Sequence, residues 1–190
     1  MPNRFNPDVH HRRSIRLPGY DYTLGGAYFL TLCTHQREPL FGQIANGVMH
    51  LNDSGKIVQD EWLRTAVLRH EIQLDSFVVM PNHLHAVILF APTAQRVGDG
   101  LRRGAQPCAP TEVAQISLGS LVAGFKASIT KQINQVRHNP GAPVWQRNYY
   151  EHLIRDQPEL DRIREYIAMN PSRWSDDDLN PANGTGPPSP

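Results

Sequence analysis

Two histidines, His83 and His85, stand two residues apart at the head of the run HLHAVILF. Alternate residues of a β-strand project to the same face, so this spacing sets two imidazoles side by side. Leu84 between them turns to the opposite face, into the core. Neutral imidazole is the commonest protein ligand for metal ions. A His–hydrophobic–His strand is therefore a two-nitrogen half-site. Nine histidines in 190 residues also produce such spacings by chance, and two nitrogens leave a metal short of ligands. The complement lies further along. Tyr166 and Asn170 are four apart in a stretch of helical periodicity and so stack one turn from each other. Leu160, Ile163 and Ile167 form the buried stripe of that helix, and the face of Tyr166 and Asn170 borders it beside Ile163. Both side chains are expected to lean toward the sheet. Asn170 supplies a hard carbonyl oxygen. Two imidazoles and an amide oxygen suit Mg2+ or Mn2+ better than structural zinc and leave positions open for phosphate oxygens. Tyr166 supplies a hydroxyl nucleophile whose ordinary pKa of about 10 calls for activation at neutral pH. A metal that polarises a phosphate and orients it for in-line attack provides it. Taken singly, Tyr166 also reads as a packed phenol and Asn170 as a residue closing its helix. Tyr22, Tyr28, Tyr149 and Tyr150 compete as nucleophiles, but neither Tyr149 nor Tyr150 is followed by a ligand-type residue at helical spacing.

The elements that must position these residues follow from periodicity and punctuation. Residues 27–34, AYFLTLCT, are rich in aromatic and β-branched types and predict a strand. Residues 48–51 predict a short one. Asn52 and Asp53 offer N-cap oxygens to a helix over about 54–66, where Ile57, Val58, Trp62 and Ala66 recur at helical spacing. Residues 72–80 and 83–90, joined at Pro81-Asn82, read as an antiparallel hairpin. The second run alternates little after Ala86, as a central strand covered on both faces does. A long helix carries Leu118, Leu121, Val122, Phe125, Ile129, Ile133 and Val136 on one face, with Ser117 as its N-cap and Asn139-Pro140-Gly141 as its stop. Residues 151–155 predict a short strand. Asp156 and Glu159 then make a capping box for a helix running to about Asn170, where Pro171 disfavours continuation. The order predicts an α+β fold, an antiparallel ferredoxin-like sheet with helices packed on one face. Around it lie a basic N-terminal arm at 1–25, a flexible loop at 91–115 inside a domain spanning 26–174, and a disordered tail at 175–190.

Bulk composition narrows the class. The length fits one domain. Cys33 and Cys108 make no disulfide framework and fit a reducing compartment. No run approaches the roughly 20 apolar residues of a membrane helix, and residues 1–14 lack the apolar centre of a signal peptide. A soluble cytoplasmic protein without membrane contact is expected. The formal charge is only +1, yet Arg4, Arg12, Arg13 and Arg16 crowd the start while Asp176, Asp177 and Asp178 sit near the end. Local basic patches are thus compatible with contact to a short stretch of nucleic acid. Arg12, Arg13 and Arg16 on the arm, and Lys126 and Arg147 nearer the histidines, are the candidate phosphate contacts. Tyr20 and Tyr22 are candidates for stacking on unpaired bases.

Four motifs taken in order, VMPNHLH at 79–85, GFK at 124–126, VWQRNYYEH at 144–152 and YIAMNP at 166–171, resemble the REP-associated tyrosine transposases, relatives of the single-tyrosine insertion-sequence transposases in the HUH endonuclease superfamily. The resemblance spans about residues 12–174. It implies cleavage of single-stranded DNA near short hairpins, with the tyrosine attacking phosphorus to leave a 5′-phosphotyrosine and a free 3′-hydroxyl that can rejoin strands. By position it implies His83, His85 and Asn170 as metal ligands, Tyr166 as nucleophile, and His152 as a supporting or DNA-contacting residue. The loop at 91–115 is longer than in compact members of that family. It leaves monomer and homodimer both open. The alternative from another class is a non-catalytic hairpin-DNA-binding module derived from a transposase. An RNA-binding ferredoxin-like domain ranks below both, because the strands lack the base-stacking aromatic motif of such domains.

Overall fold

The computed structural model describes residues 26–90 and 117–183. The arm bearing Arg12, Arg13 and Arg16 and the loop at 91–115 lie outside them. Six strands and three α-helices are formed: β1 Gly26–Cys33, β2 Gly42–Ala45, β3 Val48–Leu51, α1 Asp53–Leu68, β4 Ile72–Met80, β5 His83–Phe90, α2 Leu118–Val136, β6 Tyr150–Ile154 and α3 Gln157–Met169. The main sheet is antiparallel in the order β4-β5-β1-β6. With α1 leading from β1 to β4 and α2 from β5 to β6, this is the expected ferredoxin-like α+β arrangement.

One face of the sheet presents Tyr28, Leu30 and Leu32 of β1 and Leu84, Ala86 and Ile88 of β5. Their apolar surface is covered by Val58 and Trp62 of α1 and by Leu121, Val122, Phe125, Ile129 and Ile133 of α2. Both helices start where capping chemistry allows. Asn52 Oδ1 accepts from the Gly55 N–H at 3.0 Å, and Ser117 Oγ accepts from the Ser120 N–H at 3.2 Å, satisfying donors that a helix start leaves orphaned. The β2–β3 hairpin turns at Asn46-Gly47, with φ of 52° and 72°. This is the Asn-Gly pair that a two-residue hairpin loop favours.

The other face departs from the single-sided expectation. Ala27, Phe29, Val78, Val87 and Ile154 form a second apolar cluster with Leu160, Ile163 and Ile167 of α3. The two crossover helices share a face because each joins strands of the same sheet, whereas α3 follows the last strand and is free to cover the opposite side. It is fastened there by Arg164, whose Nε and Nη2 donate to Asp75 Oδ1 and Oδ2 at 2.9 and 2.6 Å. Asp75 lies where the β4–β5 register shifts between Leu74 and Phe77, an irregularity of the kind that re-aims a side chain. The guanidinium holds the Asp75 carboxyl down at about 2.

The segment at 175–183, expected to be part of a disordered tail, is also folded. The 3-10 turns Pro171–Asp176 and Pro181–Asn183 are tied by Asn180 Nδ2 to Trp174 O at 2.9 Å and by Asn183 Nδ2 to Ser175 O at 2.8 Å. Asp177 Oδ1 accepts from the Leu179 N–H at 2.7 Å. Asn and Asp close their own turns in this way, so a composition that reads as disorder is here turn chemistry.

The first turn of α1 lies against the chain that leads to the histidines. A Cβ on Gly55 would stand 2.1 Å from Phe41 O, and the Phe41 N–H donates to Pro81 O at 2.9 Å, beside the turn before His83. Gly55→Ala should therefore destabilise the protein by about 1–3 kcal/mol, as overpacking does, despite the better helix propensity of alanine. Urea denaturation with an unchanged slope checks this, and a stabilised variant would show that the close approach is not tight.

Candidate functional site

His83 and His85 are set by register. On β5 they lie opposite Cys33 and Thr31 of β1 and Met80 and Val78 of β4, on the face covered by α3. Both are buried, His83 at 0% and His85 at 3% exposure, with ring centroids 4.4 Å apart. His85 stacks on Phe29 at 5.3 Å, and its Nδ1 lies 2.8 Å from Thr31 Oγ1. His83 Nδ1 lies 2.8 Å from Asn82 Oδ1. These contacts fix both rings, and His85 Nε2 faces Tyr166 of α3.

From α3, the Tyr166 hydroxyl comes within hydrogen-bond distance of His85 Nε2, at 3.1 Å. Tyr166 is 43% exposed, so the phenol is reached from solvent while its oxygen touches the buried ring. Asn170 is buried beside it, and its amide adjoins His83, Tyr166 and Asp177 closely enough to influence the ionisation of all three. The structure thus brings together His83, His85, Tyr166 and Asn170 in one chain.

It adds a residue that sequence reasoning missed. Asp177 is half-buried, and ligand atoms of His83, His85 and Asp177 all lie within 4.8 Å of one another. Three buried polar atoms here have no hydrogen-bond partner: His83 Nε2, Asn170 Oδ1 and Asp177 Oδ2. Each such atom ordinarily costs about 1–3 kcal/mol. A nitrogen lone pair, an amide oxygen and a carboxylate oxygen in one place all have electron pairs to offer and no proton to share, which is the donor set a divalent cation satisfies. The residues present fit a metal ion. The only signal of Asp177 in sequence was the Asp176-Asp177-Asp178 run.

The electrostatics agree with ligand function. Burial drives both imidazoles toward the neutral form, His83 well below its ordinary range and His85 down to about 3. Burial, with Asp177 nearby, raises the Tyr166 phenol. Burial also raises the Asp177 carboxyl. A cation at the carboxylate would reverse the field at both.

Other expected contacts find different partners. Lys126 Nζ donates to Gln146 O at 2.9 Å and Asn148 O at 3.0 Å, and burial lowers it to about 8. It pins the 146–148 segment. His152 Nε2 lies 2.8 Å from Glu159 Oε1, while Glu159 Oε2 accepts from the Arg155 N–H at 2.8 Å. His152 thus braces the first turn of α3, and Glu159 reaches back to Arg155 instead of to the cap Asp156. Arg147 is exposed. It borders a groove with Lys131 and His138, lined among the described residues by no acidic side chain, and Gln146 lines both this groove and a cleft of about 640 Å³ that contains Tyr166 and His85.

An antiparallel ferredoxin-like sheet whose histidine pair meets a tyrosine on a trailing helix defines this protein as one of transposase fold. Among solved structures, it is similar to a REP-associated tyrosine transposase bound to a REP hairpin, with TM-score 0.50, 17% identity, and coverage of 84% of this chain and 74% of that one. In sequence it is 39% identical over 94% of its length to an uncharacterized protein of Haemophilus influenzae, of which it covers 98%. It is 22% identical, over 80% of its length and 73% of the other's, to a second H. influenzae protein named, by inference, as a REP-associated tyrosine transposase. No family model matches the chain. These likenesses join the chain by fold to a REP-associated tyrosine transposase and by sequence to an H. influenzae protein of nearly the same extent. Among the described residues no helix is long and apolar enough to cross a membrane.

Protonating a buried neutral imidazole is opposed in the folded state and free in the unfolded one. For His85 the folded value of about 3 lies below the ordinary 6.5. The stability held above 6.5 is therefore lost as pH falls toward 3, at up to about 1.4 kcal/mol per pH unit per ring. His83 contributes in the same direction. The melting temperature of chelator-treated protein should fall between about pH 6.5 and about pH 4.5, and saturating Mn2+ should delay the fall. A flat profile without metal would contradict this burial of neutral rings.

Proposed function

We propose that this protein is a metal-dependent endonuclease and strand transferase for single-stranded DNA at hairpin-forming repeats, working through a 5′-phosphotyrosine on Tyr166. One observation carries the reading: the Tyr166 hydroxyl meets His85 at the mouth of a pocket where His83 Nε2, Asn170 Oδ1 and Asp177 Oδ2 are buried without partners. His83, His85, Asn170 and Asp177 would hold the ion. Two nitrogens with two hard oxygens, one of them anionic, favour Mg2+ or Mn2+. Bound there, such an ion supplies Lewis acidity to a phosphate oxygen and offsets developing charge.

The chain's own residues do the rest. The Tyr166 hydroxyl, 3.1 Å from His85 Nε2, is held at the pocket by that ring. Phe29, 6.1 Å from the Tyr166 ring, keeps the phenol over the sheet. Tyr166 Oη forms a bond to phosphorus as the P–O3′ bond breaks; the phenolic proton passes to solvent and the departing 3′ oxygen gains one. The phosphotyrosine conserves the bond for rejoining by a 3′-hydroxyl, so no nucleotide cofactor is needed. The ligand set and nucleophile come from one chain, which supports action as a monomer, with a homodimer as the other assembly.

The solved relative bound to a REP hairpin supports hairpin DNA as the partner. Phosphates would run from the cleft past Gln146 into the groove bordered by Arg147, Lys131 and His138, with Arg12, Arg13 and Arg16 as further contacts from the arm.

Labelled single-stranded DNA from the flanks of the protein's own gene, incubated with Mn2+, should yield a denaturation-resistant protein–DNA adduct. Chelator, Tyr166→Phe and His85→Ala should each abolish it, while Tyr166→Phe should retain hairpin binding. Hairpin binding without any adduct from the native protein would establish a non-catalytic hairpin-binding module instead. Asp177→Asn, which removes the anionic ligand, should weaken Mn2+ binding by calorimetry at least about tenfold. Undiminished affinity would remove Asp177 from the ligand set.

A further inference from the structure

Asn82 sits in the turn before β5, fully buried, with three hydrogen bonds from one amide. Its Nδ2 donates to Arg37 O at 3.0 Å and to Leu179 O at 2.7 Å, and its Oδ1 lies 2.8 Å from His83 Nδ1. The two carbonyls accept only, so the NH2 group must face them and the oxygen must face His83. That oxygen also accepts only. His83 Nδ1 therefore carries the proton, and in the neutral ring the lone pair is left on Nε2. This is the nitrogen that is buried without a partner, in a ring that adjoins Asn170 and has a ligand atom within 4.8 Å of one on Asp177.

The other arm of the amide reaches the segment that bears Asp177. Besides the bond to Leu179 O, the Arg37 Nη1 donates to Asp178 O at 3.1 Å. The turn at 35–37 places Gln36 and Arg37 at φ of 53° and 56°, a left-handed region uncommon for residues other than glycine. The Arg37 carbonyl in that turn is the one Asn82 holds.

We propose that Asn82 is a positioning residue that couples the two halves of the site: one amide fixes His83 as the Nδ1–H tautomer and fastens the 177–180 segment that delivers Asp177. The ligand set is then assembled or dispersed together. The metal readout below rests on the metal reading of the site; the tautomer and exchange readouts stand without it.

Asn82→Asp separates the two roles. A carboxylate still accepts from His83 Nδ1 but has no proton for Arg37 O or Leu179 O. In 15N-labelled metal-free wild-type protein, long-range imidazole spectra should show His83 protonated at Nδ1. In Asn82→Asp that protonation should persist, while amide exchange at Leu179 and Asn180 quickens at least about tenfold and the Mn2+ dissociation constant rises about tenfold or more. Asn180→Asp loosens the same segment without touching Asn82, since Asn180 Nδ2 donates to Trp174 O. It should weaken Mn2+ with the His83 tautomer unchanged. His83 protonated at Nε2 in the wild type would overturn the proposal, and so would unchanged exchange in Asn82→Asp or unchanged Mn2+ affinity when the segment is loosened by Asn180→Asp. Wild-type protein that binds no Mn2+ would instead defeat the metal reading and leave the tautomer and exchange results to decide on Asn82.

Discussion

The structure depends on one costly arrangement: two neutral imidazoles, an amide oxygen and a carboxylate oxygen buried together with nothing inside the protein to bond three of their atoms. Interiors seldom tolerate one such atom without a reason. Three of them converge from a strand, a helix end and a following turn as a set of electron-pair donors that a divalent cation would satisfy. Binding such an acceptor would return the desolvation cost and make the fold itself sensitive to its presence.

Rigidity on the sheet side makes that arrangement sustainable. β5 is paired on both edges, by β1 and β4, and backed by the larger core under α1 and α2. The histidine rings thus stand on a central strand held on both edges and from behind. The tyrosine side is attached more lightly. α3 contributes a small apolar cluster, a bidentate pair between Arg164 and Asp75, and a first turn braced by Asp156, Glu159 and His152. Tyr166, Asn170 and Asp177 all ride on this element and the turns that follow it, so they meet the histidines only when α3 is docked.

The sequence displayed the parts whose placement follows from period alone. The His83/His85 pair shares a face because strands repeat every two residues, and Tyr166 and Asn170 share one because helices repeat every 3.6. Caps at Asn52, Ser117 and Asp156 were legible because the residue type is itself the mechanism. What stayed hidden depended on tertiary partners. An amphipathic stripe says that α3 is buried, not which face of the sheet it covers. Lys126 and His152 also hold carbonyls of the 146–148 segment and Glu159, contacts that no spacing in the sequence announces. The strand at Gly42–Ala45 could have been found from Asn46-Gly47 ahead of residues 48–51. Asp177 could not, since an aspartate in a Pro- and Asp-rich stretch looks the same whether it is solvated or ligating.

The most direct test is a crystal of the protein grown with Mn2+ and examined by anomalous scattering. The account predicts one strong peak inside the pocket, about 2 Å from His83 Nε2, His85 Nε2 and an Asp177 oxygen, with the Asn170 amide turned toward it. A peak bound elsewhere, or well-ordered protein with none in the pocket, would contradict it.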